Sequence, residues 1–360
     1  MGTSAKQGGL NLADIGLQGM LLFGGMGLAQ ILSLARNAIL GHTLSLHDFG
    51  VAASITLLLQ SVETLSDLGH DRLIVQAEDG DSDRFLSTTH TISVLRGVLL
   101  AVILYSAAPW AARFIGVSEA QSAFAMIALV PLIKGAIHLD CRRAQRRLDN
   151  RAQMLVETVP QALALLLTLP VVSHFPSFEA VVVLAIIQAC AGTIIARVLA
   201  TTPYRLCFDK DIARRLVIFG WPILLSALPL AAVYQGDRAI VGRLLGMEPL
   251  AAFSAAFMMT MVPGLLAARA GHSLMLPIFS ATLRDGRQLS SRFAVVTEAT
   301  VVLAALYLAA FIVAGGQLLP LAFGGAYAGY GDLIAVLAAM WSMRMIQAVP
   351  GMALMAAGQT

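Results

Sequence analysis

Apolar residues are gathered along this chain into ten long stretches that are separated by shorter polar segments. Each stretch has the ~20 mostly apolar residues that a helix needs to cross a membrane. Continuous runs such as Ala162–Leu167 exclude the alternating strands of a closed barrel. The pattern predicts an all-α polytopic membrane protein of about ten transmembrane helices, at 15–40, 49–69, 92–112, 122–140, 153–173, 179–200, 217–241, 249–269, 294–315 and 333–356.

The second half of the chain repeats the pattern of the first. The stretch RNAILG at 36–41 lies over DRAIVG at 237–242, an offset of 201 positions. A repeat of this length indicates two copies of one helical bundle. We predict two pseudo-symmetric lobes related by an axis normal to the membrane. Residues 1–202 hold helices one to six, 203–215 form a linker, and 216–360 hold an incomplete second set of four helices.

Composition and charge agree with a membrane protein. Charged residues make up 12% of the chain, about half of the ~25% that is usual in soluble domains, and the mean hydropathy is +0.78. In the segments outside the predicted helices, fifteen Lys and Arg residues lie on the side of the N-terminus and only Arg113 and Arg243 on the other side. This distribution predicts a cytoplasmic N-terminus. The basic residues therefore mark topology and not a nucleic-acid partner. The basic run 142–151 fits either that topology or a grip on anionic lipid headgroups.

Residues for covalent or metal chemistry are not grouped in the sequence. Cys141, Cys190 and Cys207 lack the spacing of a disulfide framework or a zinc site. We find no Ser/His/Asp, Cys/His or His-Glu-x-x-His arrangement that could form a catalytic site. We therefore expect no catalytic residue, no metal and no cofactor.

Two cations lie deep in the predicted spans. Lys134 is twelve residues into the fourth predicted helix, and His138, four residues further on, should share its helix face. Arg344 in the tenth helix follows Lys134 by 210 positions, close to the repeat offset. A charge at such a depth costs at least ~2.5–3.5 kcal/mol, which makes each one a functional candidate. We predict that Lys134 and Arg344 face a shared central cavity. The alternative is a buried ion pair that holds the bundle together.

Carboxylates form a second group of candidates. Glu63 and Asp67 should lie on one face of the second helix, where two acids at that spacing suit a coupling-ion site. Arg36 and the adjacent Asp237 and Arg238 lie near the outer ends of helices one and seven. A role in transport and simple snorkelling of long side chains are both open for these three residues.

Several short motifs carry a resemblance to a known family. An arginine stands near the end of helix one, DFG opens helix two, and LSDLG ends it. In the second half FGWP begins helix seven, GDR ends it, and a Leu-Pro pair follows helix eight. The six-helix first half with these motifs resembles the polysaccharide flippases of the multidrug/oligosaccharidyl-lipid/polysaccharide exporter superfamily. The motifs are at Asp48–Gly50, Leu65–Gly69, Phe219–Pro222, Gly236–Arg238 and Leu276–Pro277.

The resemblance implies a function and a place. Such a protein moves lipid-linked oligosaccharide across the bacterial cytoplasmic membrane by alternating access, among membrane lipids and alongside polysaccharide polymerase and glycosyltransferases of the same pathway. Lys134 and Arg344 would then hold the anionic pyrophosphate headgroup. Members of the family have at least twelve helices. By the 210 offset Thr360 corresponds to Asn150, so we expect the counterparts of helices five and six to be missing from this chain.

Three rival functions follow from the same features. A multidrug/cation antiporter of the same superfamily would share the fold, although Lys134 and Arg344 would repel a cationic drug. A flippase for the peptidoglycan lipid precursor would also carry pyrophosphate, and the sequence leaves it open. A membrane glycosyltransferase or polymerase would need a large outer loop or a carboxylate-rich surface motif, and the longest outer loop here is about 16–17 residues. We therefore expect a transporter and not an enzyme.

Overall fold

A computed structural model describes the backbone of residues 12–284 and 289–357. Side chains are described from residue 24 onward, apart from 269–270, 272–274, 276–277, 283–289 and 358–360. The side chains of the Leu276–Pro277 motif, and Thr360 with the helix comparison that depends on it, therefore lie outside the described residues.

The described backbone is helical and contains no strand, which confirms the predicted all-α class. Single turns of 3-10 helix at Ser118–Ala120 and Gly325–Tyr327 supplement the α-helices. The α-helices are α1 (Leu12–Thr43), α2 (Leu46–Leu65), α3 (His70–Gln76), α4 (Asp83–Ile115), α5 (Gln121–Met126), α6 (Leu129–Gly135), α7 (Asp140–Arg146), α8 (Arg151–His174), α9 (Glu179–Val198), α10 (Lys210–Leu245), α11 (Met247–Arg284), α12 (Leu289–Phe323) and α13 (Gly331–Ala356).

Most of these helices have the length and composition of membrane spans. Among the described residues seven pass that test, namely α4 and α8 to α13, and the number reaches nine if each of two bent helix pairs is one span. These nine correspond to the second to tenth predicted spans. The first predicted span, 15–40, lies within α1, whose side chains are described only from residue 24. A polytopic helical membrane protein is therefore confirmed.

Two spans that the apolar pattern predicts as continuous helices are broken. The axes of α2 and α3 meet at 41°, and the helical stretch Ser118–Gly135 meets α7 at 50°. At the first break Gly69 has a φ of 61°, a left-handed conformation that favours glycine. The breaks escape a hydropathy pattern because apolar residues such as Leu68, Ile137 and Leu139 continue through them.

The chain divides into two compact units. Unit 1 comprises Met1–Leu32, Ile55–Leu167 and Val181–Asp237, and unit 2 comprises Ser33–Ser54, Thr168–Ala180 and Arg238–Thr360. The lobe boundaries given above stay a prediction. In unit 1, Gly97 of α4 packs against α6 so closely that a Cβ there would lie 2.6 Å from the carbonyl oxygen of Pro131 and 2.9 Å from Cα of Gly135. In unit 2, α13 packs against α11 and α12 around a core that includes Phe279 and Val349.

Candidate functional site

An ion pair joins the ends of two helices in unit 1. Nζ of Lys134 lies 2.8 Å from Oε1 and 3.2 Å from Oε2 of Glu63. Glu63 stands two residues before the end of α2, and Lys134 stands one residue before the end of α6. Each therefore lies beside the break that bends its span. The pair remains accessible, because 49% of the Lys134 side chain and 27% of the Glu63 side chain are exposed.

A third charged residue, Arg96 of α4, holds the end of α2 in place. Its Nε donates to the carbonyl of Ser66 at 2.8 Å, and its Nη2 donates to the carbonyl of Glu63 at 2.9 Å and to Oγ of Ser66 at 3.0 Å. The last carbonyls of a helix have no partner within the helix, and arginine is a common donor to them. We refer to Glu63, Arg96 and Lys134 as the charged cluster.

Arg96 is not among the residues predicted from the sequence to have a function. The residue lies inside the predicted span 92–112, so the rule that singled out Lys134 could have found it. Its neighbour Gly97 and the neighbour of Lys134, Gly135, form the close contact between α4 and α6. That contact brings the two cations to the same end of α2.

The electrostatics of the charged cluster favour an anion. Lys134 binds the Glu63 carboxylate and Arg96 binds the Glu63 carbonyl, so the formal charges of these three residues sum to one positive charge. Arg96 is engaged with carbonyl and hydroxyl groups, whereas Lys134 is half exposed and can exchange Glu63 for another acceptor. A phosphate oxygen is such an acceptor. The geometry is therefore suited to binding an anion in competition with Glu63.

Asp67 does not share a helix face with Glu63, so that prediction is wrong. Helix α2 ends at Leu65, and Oδ1 of Asp67 accepts a hydrogen bond of 2.9 Å from the amide of Gly69. The carboxylate stabilises the turn before α3 in the way that short acidic side chains often do. The two carboxylates therefore do not share one helix, and a coupling-ion site at Glu63 and Asp67 stays a prediction.

His138 and Lys134 do not share a helix face either. Helix α6 ends at Gly135 and α7 begins at Asp140, so His138 lies in the break. Its Nδ1 accepts a hydrogen bond from the amide of Asp140 at 3.2 Å, which leaves Nε2 to donate to the carbonyl of Thr202 at 3.0 Å. The imidazole is buried, and its hydrogen bonds hold the break in place.

Neighbouring groups hold the same break from two directions. Nε2 of His90 accepts from the amide of Leu139 at 3.1 Å, and the His90 ring stacks on Tyr204 with centroids 4.5 Å apart. Both carboxylate oxygens of Asp140 accept hydrogen bonds from Thr201 and Thr202, at 2.7 and 3.2 Å. The end of α6, and with it Lys134, is thus anchored to the segment that follows α9.

The remaining predicted cations have aromatic neighbours in unit 2. The guanidinium of Arg238 lies 4.7 Å from the ring centre of Phe257, and that of Arg344 lies 5.4 Å from the ring of Trp341. The two rings meet edge to face at 6.0 Å. Such contacts stabilise an arginine without neutralising its charge. The shared cavity of Lys134 and Arg344 stays a prediction, because these residues belong to different units.

Arg36 and Asp237 also stay candidates. Arg36 is partly buried near the end of α1, and Asp237 is partly buried in α10 at the end of unit 1. Helix α1 continues for seven residues after Arg36 and α10 for eight residues after Asp237, and a role for either residue remains a prediction.

Two arginines of the basic run 142–151 and one arginine of α10 bind aspartates in the loop before α4. Arg143 binds Asp81 at 2.8 Å, Arg147 binds Asp81 at 3.0 Å, and Arg215 binds both oxygens of Asp79 at 2.8 Å. Hydrogen bonds from these guanidinium groups lower the pKa of each aspartate. We call Asp79, Asp81, Arg143, Arg147 and Arg215 the basic-end network.

Arg146 completes the attachment of this loop. Its guanidinium donates to the carbonyl of Ile74 at 2.8 Å and of Val75 at 3.0 Å, and it also contacts the carbonyl of Ala77. Together with the basic-end network it leaves few arginines of the run free for lipid headgroups. No group of His, Cys, Asp or Glu side chains suited to a metal is present among the residues that the structure describes.

Comparison with known sequences gives two matches. A family model described as polysaccharide biosynthesis protein matches residues 39–331. The teichuronic acid biosynthesis protein TuaB of Bacillus subtilis (strain 168) is 22% identical over 336 residues, which cover 91% of this chain and 68% of the relative. Together with the fold these matches confirm the resemblance to the polysaccharide flippases of the exporter superfamily.

Solved structures of similar fold are transporters. An inward-facing multidrug resistance MATE family transporter of the MOP superfamily superposes with a TM-score of 0.60 at 16% identity, covering 98% of this chain and 82% of the other. A eukaryotic MATE transporter superposes with a TM-score of 0.58 at 13% identity, covering 97% and 83%. Identities this low show the fold alone. The matched family is described by polysaccharide biosynthesis, and the fold is one that transporters of the MOP superfamily share.

Proposed function

The chain belongs to the polysaccharide biosynthesis protein family, and from this premise we propose that it is a flippase for lipid-linked oligosaccharide. The substrate is a glycan on polyprenyl pyrophosphate, which moves from the cytoplasmic to the outer leaflet of the bacterial cytoplasmic membrane by alternating access. The N-terminus and the basic-end network face the cytoplasm. Membrane lipids surround the protein, and polysaccharide polymerase and glycosyltransferases of the same pathway use and supply the glycan.

The ion pair between Lys134 and Glu63 carries this proposal. A pyrophosphate group is anionic and offers several acceptor oxygens, so it can replace the Glu63 carboxylate on Nζ of Lys134. The half-exposed lysine can be reached without unfolding the bundle. Arg96 keeps the end of α2 in place while the exchange occurs, because its bonds go to Ser66 and to the backbone of Glu63.

The exchange also suggests how an ion could couple to transport. A proton or a sodium ion on Glu63 weakens its hold on Lys134 and so favours the substrate-bound state. Release of the substrate restores the ion pair. His138 and Asp140, which anchor the break after α6, keep Lys134 in position. Arg238 and Arg344 form a second set of cations in unit 2, and substitution of Arg36 or Asp237 in the same assay tests whether either residue has a role.

Complementation of surface polysaccharide in a flippase-deficient bacterium tests the proposal. A charge-assisted contact to phosphate is worth ~1.5–3 kcal/mol, so Lys134→Ala should lower the polysaccharide about tenfold or more. Lys134→Arg should retain part of the activity, because the charge survives while its geometry changes. Lys210→Ala is the matched control, since this exposed lysine lies at the start of α10, away from the charged cluster.

Three outcomes separate the proposal from its alternatives. Wild-type polysaccharide from Lys134→Ala at normal protein level would show that the lysine is structural and that the headgroup is held elsewhere. Increased resistance to cationic drugs, without polysaccharide, would identify the multidrug/cation antiporter. Rescue of a strain that lacks its peptidoglycan precursor flippase would identify that substrate instead.

A further inference from the structure

A separate cleft lies on the far side of the two helix breaks, between α3 and α7 of unit 1. Its volume is about 230 Å³. Sites for drug-sized ligands have ~300–1,000 Å³, so this cleft suits one small chemical group. Six side chains line it: Asp71, Arg72, Val75, Gln76, Arg142 and Gln145.

The arginines around this cleft differ in what they bind. Arg143, Arg147 and Arg215 are engaged with aspartates, and Arg146 is engaged with backbone carbonyls. Arg72 is exposed, and its guanidinium contacts no acceptor within the described part of the chain. The cleft therefore contains an arginine that can bind a ligand without first losing a protein partner.

The second arginine of the cleft is held in place but keeps donors available. Nη2 of Arg142 lies 2.9 Å from Oδ2 of Asp71, and 26% of its side chain is exposed. Oδ1 of Asp71 is buried and accepts no hydrogen bond from the residues that the structure describes, although Nε2 of His70 is 3.3 Å away. The two arginines and the aspartate sum to one positive charge. Gln76 and Gln145 add amide groups, which can donate to and accept from hydroxyls.

We propose that this cleft binds a single phosphate-bearing headgroup, with Arg72 and Arg142 on the phosphate and the two glutamines on neighbouring hydroxyls. Arginine binds phosphate with two parallel hydrogen bonds, which suits a site with two guanidinium groups. An anionic phospholipid and the pyrophosphate of a lipid-linked substrate share this chemistry. The site goes beyond the flippase activity, because its residues are not those of the charged cluster.

Binding of short-chain lipids to the purified full-length protein in detergent tests this site. The probes are dioctanoyl phosphatidylglycerol, dioctanoyl phosphatidylcholine and geranyl pyrophosphate. Isothermal titration calorimetry measures the binding of each probe. We expect the wild type to bind one of the two anionic probes, and Arg72→Gln to weaken that binding about tenfold or more. Tighter binding of phosphatidylglycerol would indicate that the headgroup comes from a membrane lipid. Tighter binding of geranyl pyrophosphate would indicate that it comes from the transported lipid.

Arg151→Gln is the matched control, since Arg151 is also exposed, lies outside the cleft, and has no side-chain acceptor in the described residues. Equal losses in Arg72→Gln and Arg151→Gln, or no binding of either anionic probe to the wild type, would overturn the site. Equal binding of phosphatidylcholine would do so too, because the headgroup charge would then not matter. Arg72→Gln should fold normally, since the side chain has no protein partner to lose. Polysaccharide complementation by Lys134→Ala tests the flippase activity independently.

Discussion

The charged cluster and the basic-end network contain the same kinds of ion pair but differ in redundancy. In the cluster the one ion pair joins Lys134 to Glu63. In the network Asp81 binds both Arg143 and Arg147, and Asp79 binds Arg215 through two hydrogen bonds. At Asp81, loss of either Arg143 or Arg147 leaves the other arginine bound. Loss of one group from the cluster leaves a charge unpaired within a predicted span, where it is expensive.

This contrast indicates which ion pairs could have a function beyond stability. Surface pairs contribute ~0–1 kcal/mol and tolerate exchange. The pair of Lys134 and Glu63 lies within predicted spans, where an unpaired charge is expensive, so the exchange of its partner can be linked to a ligand or to an ion. The basic-end network by contrast fastens the loop before α4 to α7 and α10.

The largest effect should come from neutralising the acid of the charged cluster. Glu63→Gln should lower the dependence of transport on the proton or sodium gradient at least tenfold, because the amide cannot be charged or bind a cation as strongly. Glycan translocation into vesicles with an imposed gradient measures it. Asp81→Asn is the control and should leave the dependence unchanged. Undiminished dependence in Glu63→Gln would remove the coupling role from this residue.

A smaller effect, on stability, should follow from Arg96→Gln. The substitution removes the charged donors to the end of α2, and such hydrogen bonds are worth ~1.5–3 kcal/mol. Thermal unfolding in detergent and amide exchange of residues 62–69 should both report the loss. Arg147→Gln is the matched substitution in the network and should change stability by under about 0.5 kcal/mol, because 66% of its side chain is exposed and Arg143 still binds Asp81. Equal losses in the two variants would contradict the contrast between the regions.

The smallest effect should be the response of the basic-end network to acid. The pKa of Asp79 and the pKa of Asp81 are lowered by their arginines, so the stabilisation is complete above the ordinary aspartate value of ~3.9 and is lost as the pH falls through the lowered pKa. Amide exchange of residues 78–83, corrected for intrinsic rates, should be constant from about pH 7 to 5 and should rise below about pH 4. Asp79→Asn with Asp81→Asn should abolish the change, and a loss of protection already at pH 6 in the wild type would contradict it.

The sequence alone was enough to predict the helical membrane class. It also located the nine spans that are found among the described residues when each bent helix pair counts as one span. The reason is physical, because a backbone in lipid must satisfy its own hydrogen bonds and a run of ~20 apolar residues can do so only as a helix. The repeat of RNAILG at 36–41 by DRAIVG at 237–242, with the short motifs, was enough to identify the family. Depth within a span also singled out Glu63 and Lys134.

The partners of these charged side chains follow from the tertiary structure and not from the sequence pattern. The breaks after Leu65 and Gly135 depend on hydrogen bonds with the distant residues Arg96, His90 and Thr202, which leave no local hydropathy signal. Helical periodicity predicts shared faces only within a continuous helix. Asp67 and His138 lie beyond the ends of α2 and α6, so they do not share a helix face with Glu63 and Lys134. The ion pair between Glu63 and Lys134 spans 71 positions of sequence, and it forms because folding brings the ends of α2 and α6 together.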